Sequence, residues 1–493
     1  MLSKSKYVSG LQCHKRLWLQ KHKPQLIPPT DANTQARYDA GNIIGELAQN
    51  LFPGGKEVAF PADRDFSPML EATQDYLEQG VPAIYEAAFQ EAGVLVLCDI
   101  LVPTKGGLDC YEVKSSTKVK DYHLEDASIQ YYVLKETGLP VQKMYVMTLN
   151  PNYYKEGESL DLEQLFTIHD VTDKVKAKQA AIPDKLEAMK AMLRDSEPQQ
   201  AIGSHCTNPF ACEFINYCWP KLPQPSVFDI PRIGKKAWQL YEAGKVALED
   251  LEPTDLSTKK AQYVERQLKG LDHYEPEVLK QWLEGLEFPL YFLDFETIMP
   301  ALPLYPETRP YQPHFAVQYS LHILREPKAE LEHFEYLANF EHDFRLELAQ
   351  NLVQQLAKEG TILAYNQSFE MSCLKRLIEW CPEQKDGLAA LLPRFKDLIV
   401  PFRKDWYYKP AMGGSNSIKS VYPALFPNAE QSYQGLRIAD GGAAMQALLS
   451  LAEQGLDPHS MEDQALKKDL LSYCQLDTLA MVEIYKELLA VSE

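Results

Sequence analysis

Residues 94–116 read VLVLCDILVPTKGGLDCYEVKSS. An apolar run from Val94 to Leu97 leads to Asp99, Gly106 and Gly107 reverse the chain, and a second strand from Leu108 to Val113 brings Glu112 and Lys114. Side chains alternate along a strand, so Glu112 and Lys114 share one face and Val113 points to the other. Two carboxylates and an amine delivered by one hairpin suit a hard divalent cation held beside a phosphate.

The flanking sequence extends this hairpin into an α/β domain. A helix is expected around Asp39–Leu51 and a strand around Ile84–Phe89. A helix carrying Asp126, Gln130 and Tyr131 follows the hairpin, and a strand from Val141 to Leu149 completes the sheet. Cys13 stands near the start, in GLQCHKRLWLQ. Far downstream, SHCTNPFACEFINYCWP carries Cys206, Cys212 and Cys218 with five residues between neighbours. Three regularly spaced cysteines need a fourth ligand, and Cys13 is the best placed, since Cys98 and Cys110 fall inside strands. Four thiolates suit tetrahedral zinc or an iron–sulfur cluster. The long gaps, and a ligand from the opposite end of the domain, favour a 4Fe-4S cluster acting as a staple. His205 is a spare ligand that keeps zinc as the alternative.

Asp99, then Glu112-x-Lys114, then Gln130 on the next helix, with the Cys13 and Cys206–Cys218 staples outside them, resembles the PD-(D/E)XK nuclease superfamily. More narrowly it is similar to the RecB-type branch with an iron–sulfur staple, as in AddB and the CRISPR-associated exonucleases. The resemblance spans residues 1–222 and implies a restriction-endonuclease-like domain. It also implies Asp99, Glu112 and the Val113 carbonyl as Mg²⁺ or Mn²⁺ ligands, and Lys114 orienting the attacking water. Gln130 and Tyr131 would hold DNA or the lysine. Both cysteine gaps are five where that branch has a C-x2-C pair. Gly45, followed by Glu46, stands where it has a metal-binding His.

Residues 223–288 read as a proline-rich linker followed by two or three amphipathic helices, a helical connector. In residues 289–493, PLYFLDFETIMP places Asp294 and Glu296 on one face of an apolar strand. TILAYNQSFEMSCLKRLIEW is a strand, a turn at Asn366 and a helix with Glu370 early in it. LLSYCQLDTLAMVEIYKELL is a helix with Asp477 one turn after Tyr473. Acids gathered in this way suit a two-metal site. The three motifs resemble the tyrosine-bearing DEDD exonucleases of the DnaQ type, with a ribonuclease H-like fold. That resemblance implies Asp294, Glu296, Glu370 and Asp477 as ligands for two Mg²⁺ ions, Tyr473 positioning water, and 3′→5′ cleavage. Glu370 stands where that family has Asp. Asp397 is a further acid at the start of FKDLIVPFRKDWYYKPAMGGSNSIKSVYP, whose Arg403, Lys404, Lys409 and Lys419 interleave with Trp406, Tyr407 and Tyr408. Such a mixture suits stacking of unpaired bases, or else a core or protein-binding segment. The whole arrangement resembles a bacterial family that combines both halves.

The bulk numbers set limits. The 493 residues exceed one ordinary domain. The net charge of −19 argues against nonspecific coating of DNA. The first 222 residues hold 23 Lys and Arg against 29 Asp and Glu, so they are less acidic than the remainder. No apolar run of membrane-spanning length and no signal-peptide pattern is present, so a cytoplasmic protein with reduced cysteines and no membrane partner is expected. The expectation is a metal-dependent nuclease acting on DNA rather than RNA, exonucleolytic, with two active sites, in repair or defence against foreign DNA. The alternatives are an RNA exonuclease, a nucleic-acid-binding protein with one degenerate site, and a zinc-stabilised scaffold.

Overall fold

The computed structural model describes residues 1–493 apart from 63–64, 220–221, 357, 430–436, 439 and 456–459. The chain divides into two units. Unit 1 is Met1–Lys221 with Ala301–Tyr311, and unit 2 is Leu222–Pro300 with Gln312–Glu493. Both are mixed α/β with open sheets. The expected connector, residues 223–288, falls within unit 2, and Pro220 and Lys221 of its linker lie outside the described residues. No helix among the described residues is long and apolar enough to cross a membrane.

In unit 1, strands β1 (Ile84–Glu91), β2 (Val94–Thr104), β3 (Gly107–Lys114), β4 (Val141–Leu149) and β5 (Phe166–Asp170) lie side by side in that order. Of these five, β3 and β4 alone run parallel, because helix α5 (Asp121–Glu136) crosses between them, and the short strands Leu2–Ser3 and Lys56–Glu57 add parallel to β2 and β1. Ahead of the strands come α1 (Lys4–Gln12), α2 (His14–His22), α3 (Ala32–Gln49) and α4 (Ser67–Glu78). The β2–β3 reversal depends on Gly107. Its φ is +143°, and a Cβ there would overlap the Pro140 carbonyl oxygen. Strand β2 changes face part-way. Val94, Val96, Cys98 and then Leu101 enter one core cluster, while Ile100 enters another. The slip falls at Asp99, and on β1 the pairing passes over Glu86, whose φ is +56°.

In unit 2, helices α7 (Lys235–Glu242), α8 (Thr258–Lys269) and α9 (Pro276–Glu284) precede a five-stranded sheet. Here α6 is Ile182–Met192, the last long helix of unit 1. The sheet order is β8 (Glu332–Leu337), β7 (Phe315–Leu324), β6 (Leu290–Ile298), β9 (Thr361–Ala364), β10 (Phe395–Asp397). The first three strands are antiparallel, and β9 and β10 run parallel to β6. Strand β6 is therefore central, and its near-continuous apolar sequence matches burial on both faces. Helix α10 (Ser368–Trp380) follows β9, α11 (Ile418–Leu425) follows β10, and α12 (Met461–Ser492) closes the chain.

Tyr407 and Tyr408, read above as possible base-stacking residues, are core side chains. They are 1% and 8% exposed, and their hydroxyls donate to Glu487 Oε1 (2.6 Å) and Gln267 Oε1 (2.8 Å). Trp406 packs against the same cluster as Tyr407. Tyr407 and Tyr408 therefore follow the core reading, because rings whose hydroxyls are satisfied internally present no face for a base.

Candidate metal centres

The hairpin of unit 1 assembles a compact network of charge. Asp99 Oδ2 accepts the Val113 N–H (2.6 Å), which ties the two strands together at the face slip. Glu112 is 1% exposed and is held by Lys4 (2.8 Å), Lys114 (2.5 Å) and the Gln130 amide, with Asp126 beside it. Lys114 also bonds Asp126 Oδ2 (2.5 Å), and Lys4 lies 3.6 Å from that oxygen. Gln130 in turn accepts from the Cys110 thiol (3.6 Å). Gln130 thus orients Glu112 and does not touch Lys114. Tyr131 is buried in the core. Glu46 is exposed on α3 and its carboxylate takes no part in this network.

These contacts push the acids apart. Burial works against the charge of Glu112, yet Lys114 and Lys4 hold it well below the ordinary carboxylate range. Asp99 is pushed up to about 8 by burial and by Glu112. Glu86, at the strained position facing Asp99, is pushed up to about 6 by burial, with Lys4 opposing. Lys4 and Glu86 were not picked out from the sequence. Lys4 is 108 positions from its partner, and Glu86 is one acid in an ordinary strand.

The four cysteines come together as well. Cys13, Cys206, Cys212 and Cys218 line one cavity, with His205, Lys15 and Arg16 at its wall. Cys13 caps α2, its sulfur accepting the Arg16 N–H (3.4 Å). Burial pushes the thiols of Cys13 and Cys218 up and takes Cys212 up to about 11. Three of these sulfurs do not lie mutually within 4.8 Å. The two ends of the unit are joined around them: Gln12 Nε2 donates to His205 O and Phe210 O (both 2.7 Å), and Arg16 pairs with Glu213 (2.8 Å).

Unit 2 gathers its acids with fewer cations. Asp294 and Glu296, two apart on β6, face α12, which brings Tyr473, Cys474 and Asp477. Helix α12 is pinned on this face by buried polar bonds. Ser320, opposite Asp294 on β7, bonds Thr478 Oγ1 (2.7 Å), which also bonds His322 Nδ1 (2.8 Å), and Gln318 donates to Leu470 O (2.8 Å). Glu370 lies in the first turn of α10 and is 2% exposed. Asn366 precedes it at a φ of +79°, its N–H donating to Asp397 Oδ1 (2.9 Å). Burial raises Asp294 well above the usual range, and Asp477, Glu296 and Glu370 add to it. Burial and Asp477 push Glu296 up to about 8, and burial and Asp397 push Glu370 up to about 8. Asp477, Glu296 and Glu370 therefore all act electrostatically on Asp294.

A sequence family described as a domain of unknown function, DUF2779, matches residues 291–417. That segment includes Asp294, Glu296, Glu370 and Asp397 and ends before Lys419, Tyr473 and Asp477. No curated protein matches the chain. Lys419, on α11, donates to the Tyr473 hydroxyl, with its ammonium 4.6 Å from the ring centroid. It lowers Glu296 against burial. Neither Lys419 nor Cys474 was expected at the site, and no spacing rule marks either residue.

Proposed function

We propose that the protein is a metal-dependent nuclease that hydrolyses phosphodiester bonds, with DNA preferred over RNA and a reaction centre in each unit. The observation that carries the reading is the convergence of Asp294, Glu296, Glu370 and Asp477 in unit 2. Four acids from one strand and two helices raise one another's proton affinity, an arrangement that is costly unless external cations neutralise it. Glu370 Oε2 is buried with no hydrogen-bond partner, as a ligand atom awaiting a cation would be. The donor set is oxygen-rich and fits Mg²⁺ or Mn²⁺.

Bound divalent cations would supply a water of lowered pKa and neutralise charge at the phosphoryl group. In unit 2 Asp294, Glu296, Glu370 and Asp477 would hold them, and Tyr473 would orient the attacking water. Lys419 fixes the Tyr473 hydroxyl for that purpose. In unit 1 Asp99, Glu112 and the Val113 carbonyl would be the ligands and Lys114 the water-orienting group, with Gln130 and Val113 N–H setting the two carboxylates. For the four-cysteine centre a 4Fe-4S cluster fits better than zinc. Its four thiols come from both ends of the unit and line one cavity, the staple arrangement that long ligand spacing favours over a zinc knuckle.

The test is degradation of end-labelled single- and double-stranded DNA and RNA by anaerobically purified protein in Mg²⁺ and in Mn²⁺. Asp99→Asn and Asp294→Asn should each remove one component of the activity. A double variant that still degrades the strands at the wild-type rate overturns the reading.

A further inference from the structure

Cys474 is absent from the ligand set proposed above. It follows Tyr473 on α12 and is fully buried, with Sγ 3.7 Å from Asp294 Oδ2 and 3.9 Å from Asp294 O. One donor atom each from Asp294, Glu296 and Cys474 lie within 4.8 Å of one another, and no other such group of three occurs among the described residues. Ions that bind oxygen at about 2.0–2.2 Å and sulfur at about 2.3 Å span that separation with a single centre. Glu370, whose Oε2 has no hydrogen-bond partner on a side chain 2% exposed, lies close enough to act electrostatically on Asp294. A buried cysteine is usually a small hydrophobe. This one points its sulfur at a carboxylate, where an alanine would serve a packing role without adding a soft donor.

Mg²⁺ takes oxygen ligands almost exclusively, whereas thiolate selects zinc-like cations. We propose that Asp294, Glu296 and Cys474 form a carboxylate–thiolate position that takes Zn²⁺ in preference to Mg²⁺, with Cys474 supplying the discrimination. On binding, the S–H bond breaks, a sulfur–zinc bond forms and the proton passes to water. The inference rests on reading unit 2 as a divalent-metal site and concerns which ion that site selects.

The experiment uses the full chain as purified, with its four-cysteine centre left filled, and the metals alone as probes. Equilibrium dialysis against Zn²⁺ and Mg²⁺ is compared for wild type, Cys474→Ser and Cys474→Ala. Both variants should bind Zn²⁺ at least about tenfold more weakly while their Mg²⁺ affinity stays within about twofold of wild type. Wild type should also release one more proton per added Zn²⁺ than Cys474→Ala, read from the buffer dependence of the binding enthalpy. Equal Zn²⁺ affinity and equal proton release overturn the inference. Should both variants lose their circular dichroism signature of folding, wild type alone decides. An added equivalent of Co²⁺ must then produce a sulfur-to-cobalt charge-transfer band that Zn²⁺ abolishes, and no band means no thiolate ligand. Activity is kept out of the readout. Cys474-dependent Zn²⁺ binding in an inactive protein faults the nuclease reading alone, and nuclease activity with no Cys474 contribution to binding faults this inference alone.

Discussion

The two acid centres solve the same electrostatic problem by different means. In unit 1 the lysines are built in: Lys4 and Lys114 both sit on Glu112, and both reach towards Asp126. In unit 2 the acids face mainly one another, with Lys419 the cation that acts on Glu296 among the described residues. A centre that carries its own counter-ions keeps its shape without metal. A centre of mutually repelling buried acids either holds protons or takes cations from solution. The difference teaches that motif spacing alone does not say how a candidate metal site would be held open, since the neutralising groups come from elsewhere in the chain.

The largest effect tests whether both centres cut. Asp294→Asn and Asp477→Asn should lower the unit 2 component of activity about a thousandfold, equivalent to roughly 4 kcal/mol of transition-state stabilisation, and leave the unit 1 component in place. An Asp294→Asn enzyme with full activity on every substrate leaves unit 1 as the sole reaction centre. Next, Lys114→Met should cost the unit 1 component about a hundredfold and Lys4→Met nearer tenfold. The reverse ranking in single-turnover assays would make Lys4 the water-orienting lysine.

A third prediction uses the raised acids. Glu296 and Glu370 keep their protons to about 8, whereas the unfolded chain releases them near the ordinary value of 4.5. Between those limits the native state binds more protons than the unfolded one, so stability falls as pH rises. In EDTA, hydrogen exchange of the β6 peptide should therefore speed up from pH 5 to pH 8, after correction for intrinsic exchange, and Mg²⁺ should restore protection. The β2 peptide should also lose protection, but by a smaller amount, because Asp99 is the one unit 1 acid pushed up to about 8, Glu86 reaches only about 6 and Glu112 is held low, against both Glu296 and Glu370 at about 8 beside β6. Equal loss in the two strands breaks the comparison. The smallest effect concerns His322, which burial and His333 lower to about 4. Its neutral form is favoured in the native state, so the stability it contributes is present above the unfolded value of 6.5 and lost as pH falls towards 4. His322→Gln should flatten the acid limb of unit 2 unfolding in that interval.

Much of each centre was legible because its acids sit where periodicity can be read. Asp99, Glu112 and Lys114 lie in one hairpin, Asp294 and Glu296 are two apart on one strand, and Tyr473 and Asp477 are one turn apart on one helix. Within unit 1 the order of helix, strands, helix and strand followed from apolar alternation. The partners that complete the centres were not legible. Lys4, Glu86, Lys419 and the Ser320–Thr478–His322 bonds depend on which elements pack together, and no local pattern encodes that. The segment of Trp406, Tyr407 and Tyr408 was ambiguous for the same reason: aromatic and basic residues in alternation describe a nucleic-acid platform and a core strand equally well until burial is known.

The two lysines of unit 1 differ sharply in how far along the chain their partners lie. Lys114 meets Asp126 across a separation of 12 residues, Lys4 meets Glu112 across 108, and Gln12 meets His205 across 193. Contacts distant along the chain must first overcome the entropy of closing the intervening loop, and topologies rich in them fold slowly. The local bridge should therefore be in place while the first helices are still free, and Lys4 should arrive only when the chain closes on its own beginning. On that order the hairpin should pass through an interval in which Glu112 has one cation instead of two, and the Lys4 bridge should complete the charge balance of this centre late.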